Sequence, residues 1–224
     1  MNARVVIFDA YGTLLDVHSA MQGLAGRIGS NWEQISTGWR RKHLEYTWVY
    51  SLAAGARPNF WELAQQSLNY VAAKYNLTDK ALLNDVLQAY RRLKPYPEVP
   101  ATLMRLRDLH IPRAILSNGE KSMLDDGVSQ AGIEHLLDDV LSVDVADVYK
   151  PDPRAYRIAT ERFGVEVADV AFVSGNPWDC YGALTFGFRV FHVDRKGEPD
   201  EYGVHRRAQV VADLSGFPDR LMNA

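Results

Sequence analysis

The sequence holds one cysteine in 224 residues. Cys180 has no partner for an internal disulfide, so the chain does not read as a disulfide-stapled extracellular module. No apolar stretch approaches the roughly 18 residues that a bilayer-spanning helix needs, and there is neither a repeat nor a low-complexity tract. Nor is there a long run of either charge: 25 basic and 28 acidic side chains leave a formal net charge of −3. A nucleic-acid or membrane-surface role therefore has no electrostatic support, and a small-molecule partner is expected. No basic, apolar, small-residue leader precedes the apolar run at Val5, which makes a cytoplasmic protein the expectation. The six histidines lack a metal-ligand spacing such as His-Glu-x-x-His, and Gly182 to Gly187 mimics the glycines of a phosphate loop but carries Phe188 where lysine is required.

What is present is a chain with 47% hydrophobic residues, enough to bury a sizeable core as one domain with an insertion or as two unequal domains. Apolar or β-branched runs at Val5 to Phe8, Ala114 to Leu116, Val140 to Val143, Val170 to Val173 and Val190 to Val193 read as strands, and Val210 and Val211 open another. Strands apolar on both faces and separated by helical patterns imply an α/β fold, a doubly wound parallel sheet covered on both sides. Residues 15–94 differ: Trp39, Leu44, Trp48, Phe60, Leu63, Leu68, Val71, Leu82, Val86 and Leu93 recur at helical spacings. They predict an inserted all-helical cap, with 1–14 and 95–224 forming the α/β core. Pro95, Pro97 and Pro100 mark the exit, after which Val99, Leu103 and Leu106 resume an amphipathic helix.

Ligands of open α/β sheets bind beyond the carboxyl ends of the strands. Here those ends carry Asp9, then Ser117 and Asn118, then Lys150, then Ser174, Asn176 and Asp179. Each has a plainer reading. Asp9 would cap a turn, Lys150 would be a loop lysine in water, and Ser117 with Asn118 would be turn formers. Asp179 would N-cap the following helix. Arg40, beside Arg41 and Lys42, would belong to a solvated face, or Arg41 would take its place at the site. Phe60 and Trp178 would serve the core, as Cys180 does by default.

Several segments weigh against the plain readings together: Phe-Asp-Ala-Tyr-Gly-Thr-Leu at Phe8 to Leu14, Trp-Arg at Trp39 and Arg40, Leu-Glu-Tyr-Thr-Trp at Leu44 to Trp48 and Leu-Ser-Asn-Gly at Leu116 to Gly119. Tyr-Lys-Pro-Asp-Pro-Arg-Ala-Tyr at Tyr149 to Tyr156 and Ser-Gly-Asn-Pro-Trp-Asp at Ser174 to Asp179 complete the set. With them the chain resembles the haloacid dehalogenase superfamily and, within it, the L-2-haloacid dehalogenases. The resemblance implies a Rossmann-like core with a helical cap, a homodimer, no cofactor and no metal. It implies Asp9 as nucleophile, Thr13 supporting its loop, and Arg40 with Asn118 binding the departing halide. Ser117 would hold the substrate carboxylate, assisted by backbone amides from Ala10 onward. Lys150, Tyr156, Ser174, Asn176 and Asp179 match the remaining polar positions, and Tyr11, Leu44, Phe60 and Trp178 the apolar pocket. Gly175 and Pro177 depart from the residues often found in relatives, and Ala53 to Asn59 aligns loosely.

The chemistry wants these residue types. Displacing halide from a saturated carbon requires a desolvated, aimed nucleophile, which a carboxylate in a closed site supplies. Lys150 would be its counter-charge. Arg40 and Asn118 would stabilise the charge that develops on the halide, and Asp179, oriented by Ser174, Asn176 or Lys150, would activate the water that hydrolyses the ester on Asp9. The expected reaction converts a short L-2-haloacid to the D-2-hydroxy acid. Tyr11 stands where phosphate-processing relatives usually carry a second aspartate, which removes one carboxylate from a magnesium site. A superfamily phosphatase, an aspartyl-ester enzyme that opens a strained ring amino acid, and a silent member that binds a carboxylate or a partner protein are the alternatives.

Overall fold

A computed structural model describes residues 3–53 and 56–223. Strand β1 (Val5–Phe8) is four apolar residues with no exposed surface, which a strand achieves only when both its faces are covered. The chain then enters an all-helical stretch: α1 (Ser19–Gln22), α2 (Ala25–Ile28), α3 (Trp32–Leu52), α4 (Phe60–Lys74) and α5 (Lys80–Tyr90). It returns through α6 (Val99–Asp108), β2 (Arg113–Ser117), α7 (Lys121–Gln130), β3 (Asp139–Ser142) and α8 (Pro153–Phe163). Last come β4 (Val170–Ser174), α9 (Pro177–Phe186), β5 (Arg189–Val193), β6 (Gln209–Val211) and α10 (Phe217–Met222).

The six strands form one parallel sheet in the order β3-β2-β1-β4-β5-β6, the doubly wound core that the strand pattern predicts. From β1 the chain winds outward to β3, then jumps back to lay β4 against the other side of β1. The carboxyl ends of β1 and β4 therefore flank the reversal, where a crevice opens and ligands bind in such sheets. The predicted third strand is shifted by one residue. Val143 leaves the sheet because Ser142 Oγ accepts from the Asp144 N–H at 3.2 Å and closes a short helical turn, a local bond that competes with the ladder.

The three long helices between β1 and α6 each have a sequence reason. The α3 stripe of Ile35, Trp39, His43 and Thr47 recurs every four residues and is buried, and Trp39 Nε1 donates to the Ala64 carbonyl of α4 at 2.9 Å. Asn59 and Glu62 make a reciprocal capping box at the start of α4, and Asp79 caps α5 through the N–H groups of Ala81 and Leu82, which satisfies donors that a helix start leaves unpaired. Residues 54 and 55, inside the loosely aligned Ala53 to Asn59 segment, lie outside the described residues. The two chain crossings into and out of this stretch run side by side: Asp16 N donates to Lys94 O at 2.8 Å and Tyr96 N to Leu14 O at 3.0 Å. That pairing sets the helices directly over the loop that carries Asp9. Among the described residues no helix is long and apolar enough to cross a membrane.

Candidate active site

Asp9 follows β1 into a tight loop in which the Ala10 carbonyl accepts from the N–H groups of Thr13, Leu14 and Leu15. Gly12 makes the reversal with φ at 88°, a conformation that side chains disfavour. Asp9 is 5% exposed. Its Oδ2 accepts from Thr13 Oγ1 at 2.8 Å and from Asn176 Nδ2 at 2.7 Å, and its Oδ1 faces Lys150 Nζ at 3.2 Å. One oxygen is held by two short bonds and the other by a single longer one, so Oδ1 keeps a lone pair free.

Lys150 is wholly buried and reaches Asp179 Oδ2 at 2.9 Å as well as Asp9. Burial opposes its charge, but Asp179 and Asp9 outweigh burial and raise the pKa of the ammonium above its ordinary value. Asp179 Oδ1 accepts from Tyr156 Oη at 2.7 Å, and its Oδ2 from Ser174 Oγ at 3.3 Å. Burial pushes Asp179 up to about 6, with Lys150 opposing the rise and Asp9 adding to it. It thus changes charge near neutrality, where a proton acceptor is useful. Asp179 does not cap α9: Asn176 holds the N-cap position, and Asp179 lies in the first turn. Nor does Asn176 orient it, since the Asn176 amide bonds Asp9 and the Tyr11 carbonyl instead.

Asp9, Tyr11, Ser117 and Asn118 from the core, with Arg40, Leu44 and Phe60 from α3 and α4 and Trp178 from α9, enclose a cavity of about 10 Å³, room for about one water molecule. Asn118 Oδ1 accepts from the Lys150 N–H at 2.9 Å, which fixes the amide so that Nδ2 is left as a donor. Among the described residues, buried Asn118 Nδ2 and buried Arg40 Nη1 have no hydrogen-bond partner. Two unpaired buried donors in one cavity wall are costly unless an acceptor or anion arrives. Arg40 is anchored by Nη2 to the Tyr11 carbonyl at 3.0 Å, whereas Arg41 is exposed. This separates the two arginines.

Of the residues singled out in the sequence, Thr13, Lys150 and Asn176 bond Asp9, and Tyr156 and Ser174 bond Asp179. Ala10 is fully buried in the turn after β1, where its carbonyl accepts the three N–H groups that close the loop. Cys180 is buried and donates to the Ser174 carbonyl at 3.4 Å, with burial raising its pKa well above the ordinary thiol value. Three residues beside the site carry no site role in the sequence reading. Tyr90 stacks on Tyr11 with ring centroids 5.5 Å apart, and His43 lies between Phe60 O at 3.0 Å and Tyr90 Oη at 3.5 Å. Burial, then Arg40, lowers His43 to about 3, so it stays neutral behind the pocket. Trp48 meets Trp178 edge to face. Aromatic residues at helical spacing carry no mark that separates a pocket wall from a core.

The donor set does not fit a metal. The ammonium of Lys150 takes the place between the two carboxylates that a cation would need, Tyr11 supplies no second carboxylate, and among the described residues no group of three His, Cys, Asp or Glu side chains is set for one.

A family model of haloacid dehalogenase-like hydrolases matches residues 3–187. The chain belongs to this family. Within it, the chain is 42% identical to (S)-2-haloacid dehalogenase 4A of Burkholderia cepacia over 200 residues, covering 89% of this chain and 86% of that protein. A solved dehalogenase in an intermediate complex superposes with a TM-score of 0.95 at 39% identity, covering 98% of this chain and 97% of that one. The L-2-haloacid dehalogenase of Xanthobacter autotrophicus with chloropropionic acid covalently bound superposes with a TM-score of 0.87 at 35% identity, over 99% of both chains. The haloacid dehalogenase core is thus the parallel sheet described above.

Proposed function

We propose that the protein is an (S)-2-haloacid dehalogenase that hydrolyses short L-2-haloalkanoic acids to D-2-hydroxy acids. The observation that carries this reading is the pair of unsatisfied donors, Arg40 Nη1 and Asn118 Nδ2, in the wall of the cavity that also holds the Asp9 carboxylate. A nucleophile faces a site built for an anion. The likeness to named dehalogenases over nearly the whole chain supports the same conclusion.

In the first step Asp9 Oδ1 attacks C2 of the substrate, and the carbon–halogen bond breaks with its electron pair going to the halide. Arg40 and Asn118 gain most as that charge develops, so they lower the barrier more than they tighten substrate binding. Ser117 and the backbone amides after Asp9 hold the substrate carboxylate, Tyr11, Leu44, Phe60 and Trp178 exclude water, and attack from the face opposite the halide inverts the carbon. In the second step Asp179 takes a proton from water, whose oxygen adds to the Asp9 carbonyl carbon. The C–O bond between Asp9 Cγ and the original Oδ1 breaks, the leaving alkoxide takes the proton held by Asp179 and departs as the hydroxy acid with that oxygen, and Asp9 keeps the oxygen of water and returns to carboxylate by losing the remaining proton to solvent.

The cap at 15–94, the core at 1–14 and 95–224, a cytoplasmic location and a homodimer complete the proposal. They are supported by the paired crossings at Asp16 and Tyr96, by the single cysteine and by the family resemblance. One turnover on (S)-2-chloropropanoate in heavy-oxygen water tests the chemistry. The label is expected in Asp9 and not in the first-turnover product, Asp9→Asn is expected to release no chloride, and label appearing directly in lactate would refute the ester intermediate. Sedimentation analysis tests the dimer.

A further inference from the structure

The dehalogenase reading leaves one substituent of the substrate without a place. Around the reacting carbon, the carboxylate lies toward Ser117, the halide toward Arg40 and Asn118, and Asp9 opposite the halide. The alkyl group of anything longer than a haloacetate must then meet Tyr11, Leu44, Phe60 or Trp178, in a cavity with room for about one water molecule. Three of these walls are closed. Tyr11 backs onto the ring of Tyr90 and Phe60 onto those of His43 and Tyr149, while Leu44 is buried on α3.

Trp178 is different, because its other side faces an open groove of about 450 Å³. Trp48, Leu52, Tyr181 and Tyr202 give that groove an apolar lining, and Leu52 is 86% exposed. Trp48 and Trp178 meet edge to face with ring centroids 5.6 Å apart and planes at 71°. Among the described residues the buried Trp48 Nε1–H has no acceptor, although a buried indole N–H usually finds one. Turning the Trp48 indole outward would give that donor to water and part the two rings.

We propose that the Trp48–Trp178 pair is a door between the groove and the cavity, and that the groove receives the alkyl chain of longer L-2-haloacids. Trp48 is then a specificity-determining residue that sets accepted chain length. The inference rests on the dehalogenase reading. Its chemistry is that of apolar burial, which is worth about fourfold in binding per methylene.

The test is the ratio of kcat/KM for (S)-2-chlorohexanoate to that for (S)-2-chloropropanoate, followed by chloride release. Trp48→Ala, which widens the door, is expected to raise the ratio by about tenfold, within the roughly sixtyfold that three further methylenes allow at about fourfold each, because the wild-type door already admits the chain part of the time. Ser51→Trp, placed on α3 where Ser51 lines the groove, fills it and is expected to lower the ratio by a similar factor. This second variant lies at the surface and keeps the test sound if Trp48→Ala does not fold. A ratio unmoved by either change, or both substrates moving in parallel, overturns the door. No chloride from wild-type protein with either substrate would overturn the dehalogenase reading instead.

Discussion

The Lys150 ammonium sits 2.9 Å from Asp179 Oδ2 with neither side chain exposed. A buried pair of this kind gives up hydration on both sides, so its presence adds little net stability, but removing one partner strands the other charge. Lys150 also serves Asp9, so its loss strands two carboxylates at once. Lys150→Met is expected to lower the unfolding free energy by about 3–5 kcal/mol at pH 8. The folded-state pKa of Asp179, about 6, lies above the unfolded value of roughly 3.9. Folding therefore favours its protonated form, and that contribution is present at low pH and lost as pH rises through 6. Without Lys150 the Asp179 value climbs further, so the variant should lose less stability at pH 5 than at pH 8. Urea unfolding at the two pH values measures this, and equal losses would contradict it.

The same residue sets a pH profile for hydrolysis of the ester. Asp179 accepts a proton only when ionised, so single-turnover release of hydroxy acid is expected to rise with pH, with its midpoint below the value of about 6 that Asp179 has beside ionised Asp9, because the ester removes that neighbouring charge. Tyr156 Oη donates to Asp179 Oδ1 at 2.7 Å and lowers its value by stabilising the charged form. Tyr156→Phe is therefore expected to move this limb to higher pH while leaving the initial burst of halide intact. A limb that stays in place would remove Asp179 from the role of base.

Adjacent arginines should respond oppositely. Arg40 reaches the Tyr11 carbonyl and borders the cavity, whereas Arg41 is exposed. Arg40→Lys keeps the charge but loses the planar fork of donors, and a fall in kcat of about 10²-fold or more is expected, as for other donors aimed at developing charge. Arg41→Ala should stay within about 0.5 kcal/mol of wild type in stability, with halide release unchanged. Steady-state kinetics on both variants decide the assignment.

How much of this was legible before the fold was known follows from what the signals are made of. The central strands could be read because they are buried on both faces, and five of six runs match the strands of the sheet; Val143 failed because the Ser142 hydroxyl accepts from the Asp144 N–H and turns the chain out of the ladder. Asp9, Ser117 and Asn118 stand out because they sit where strands end, and Lys150 and Asp179 because they lie in the segments that follow β3 and β4, positions readable in one dimension. The partners within the site could not. Nothing local says that Asn176 bonds Asp9 and Tyr156 bonds Asp179, since those bonds span 167 and 23 residues. Tyr90 and His43 share their spacing with ordinary core residues, and only the stacking of Tyr90 on Tyr11 and the packing of His43 against Phe60 give them a place.

Two glycines make opposing predictions that test the backbone under the site. A Cβ on Gly175 would lie 2.5 Å from the carbonyl oxygen of Gly12, a backbone atom that cannot turn aside, in the loop that aims Asp9. Gly26, inside α2, would meet nothing within 4 Å and has no unusual φ. Gly175→Ala is expected to destabilise by about 1–3 kcal/mol, as overpacking does, and to cut kcat beyond what the folded fraction explains, because relief of the clash displaces Gly12 and with it the Asp9 carboxylate. Gly26→Ala should instead stabilise by about 0.4–1 kcal/mol by restricting the unfolded chain, with kcat unchanged. Thermal unfolding followed by kinetics on the folded protein separates the effects. Full activity in Gly175→Ala would mean that the close approach of β4 to the nucleophile loop does not position Asp9.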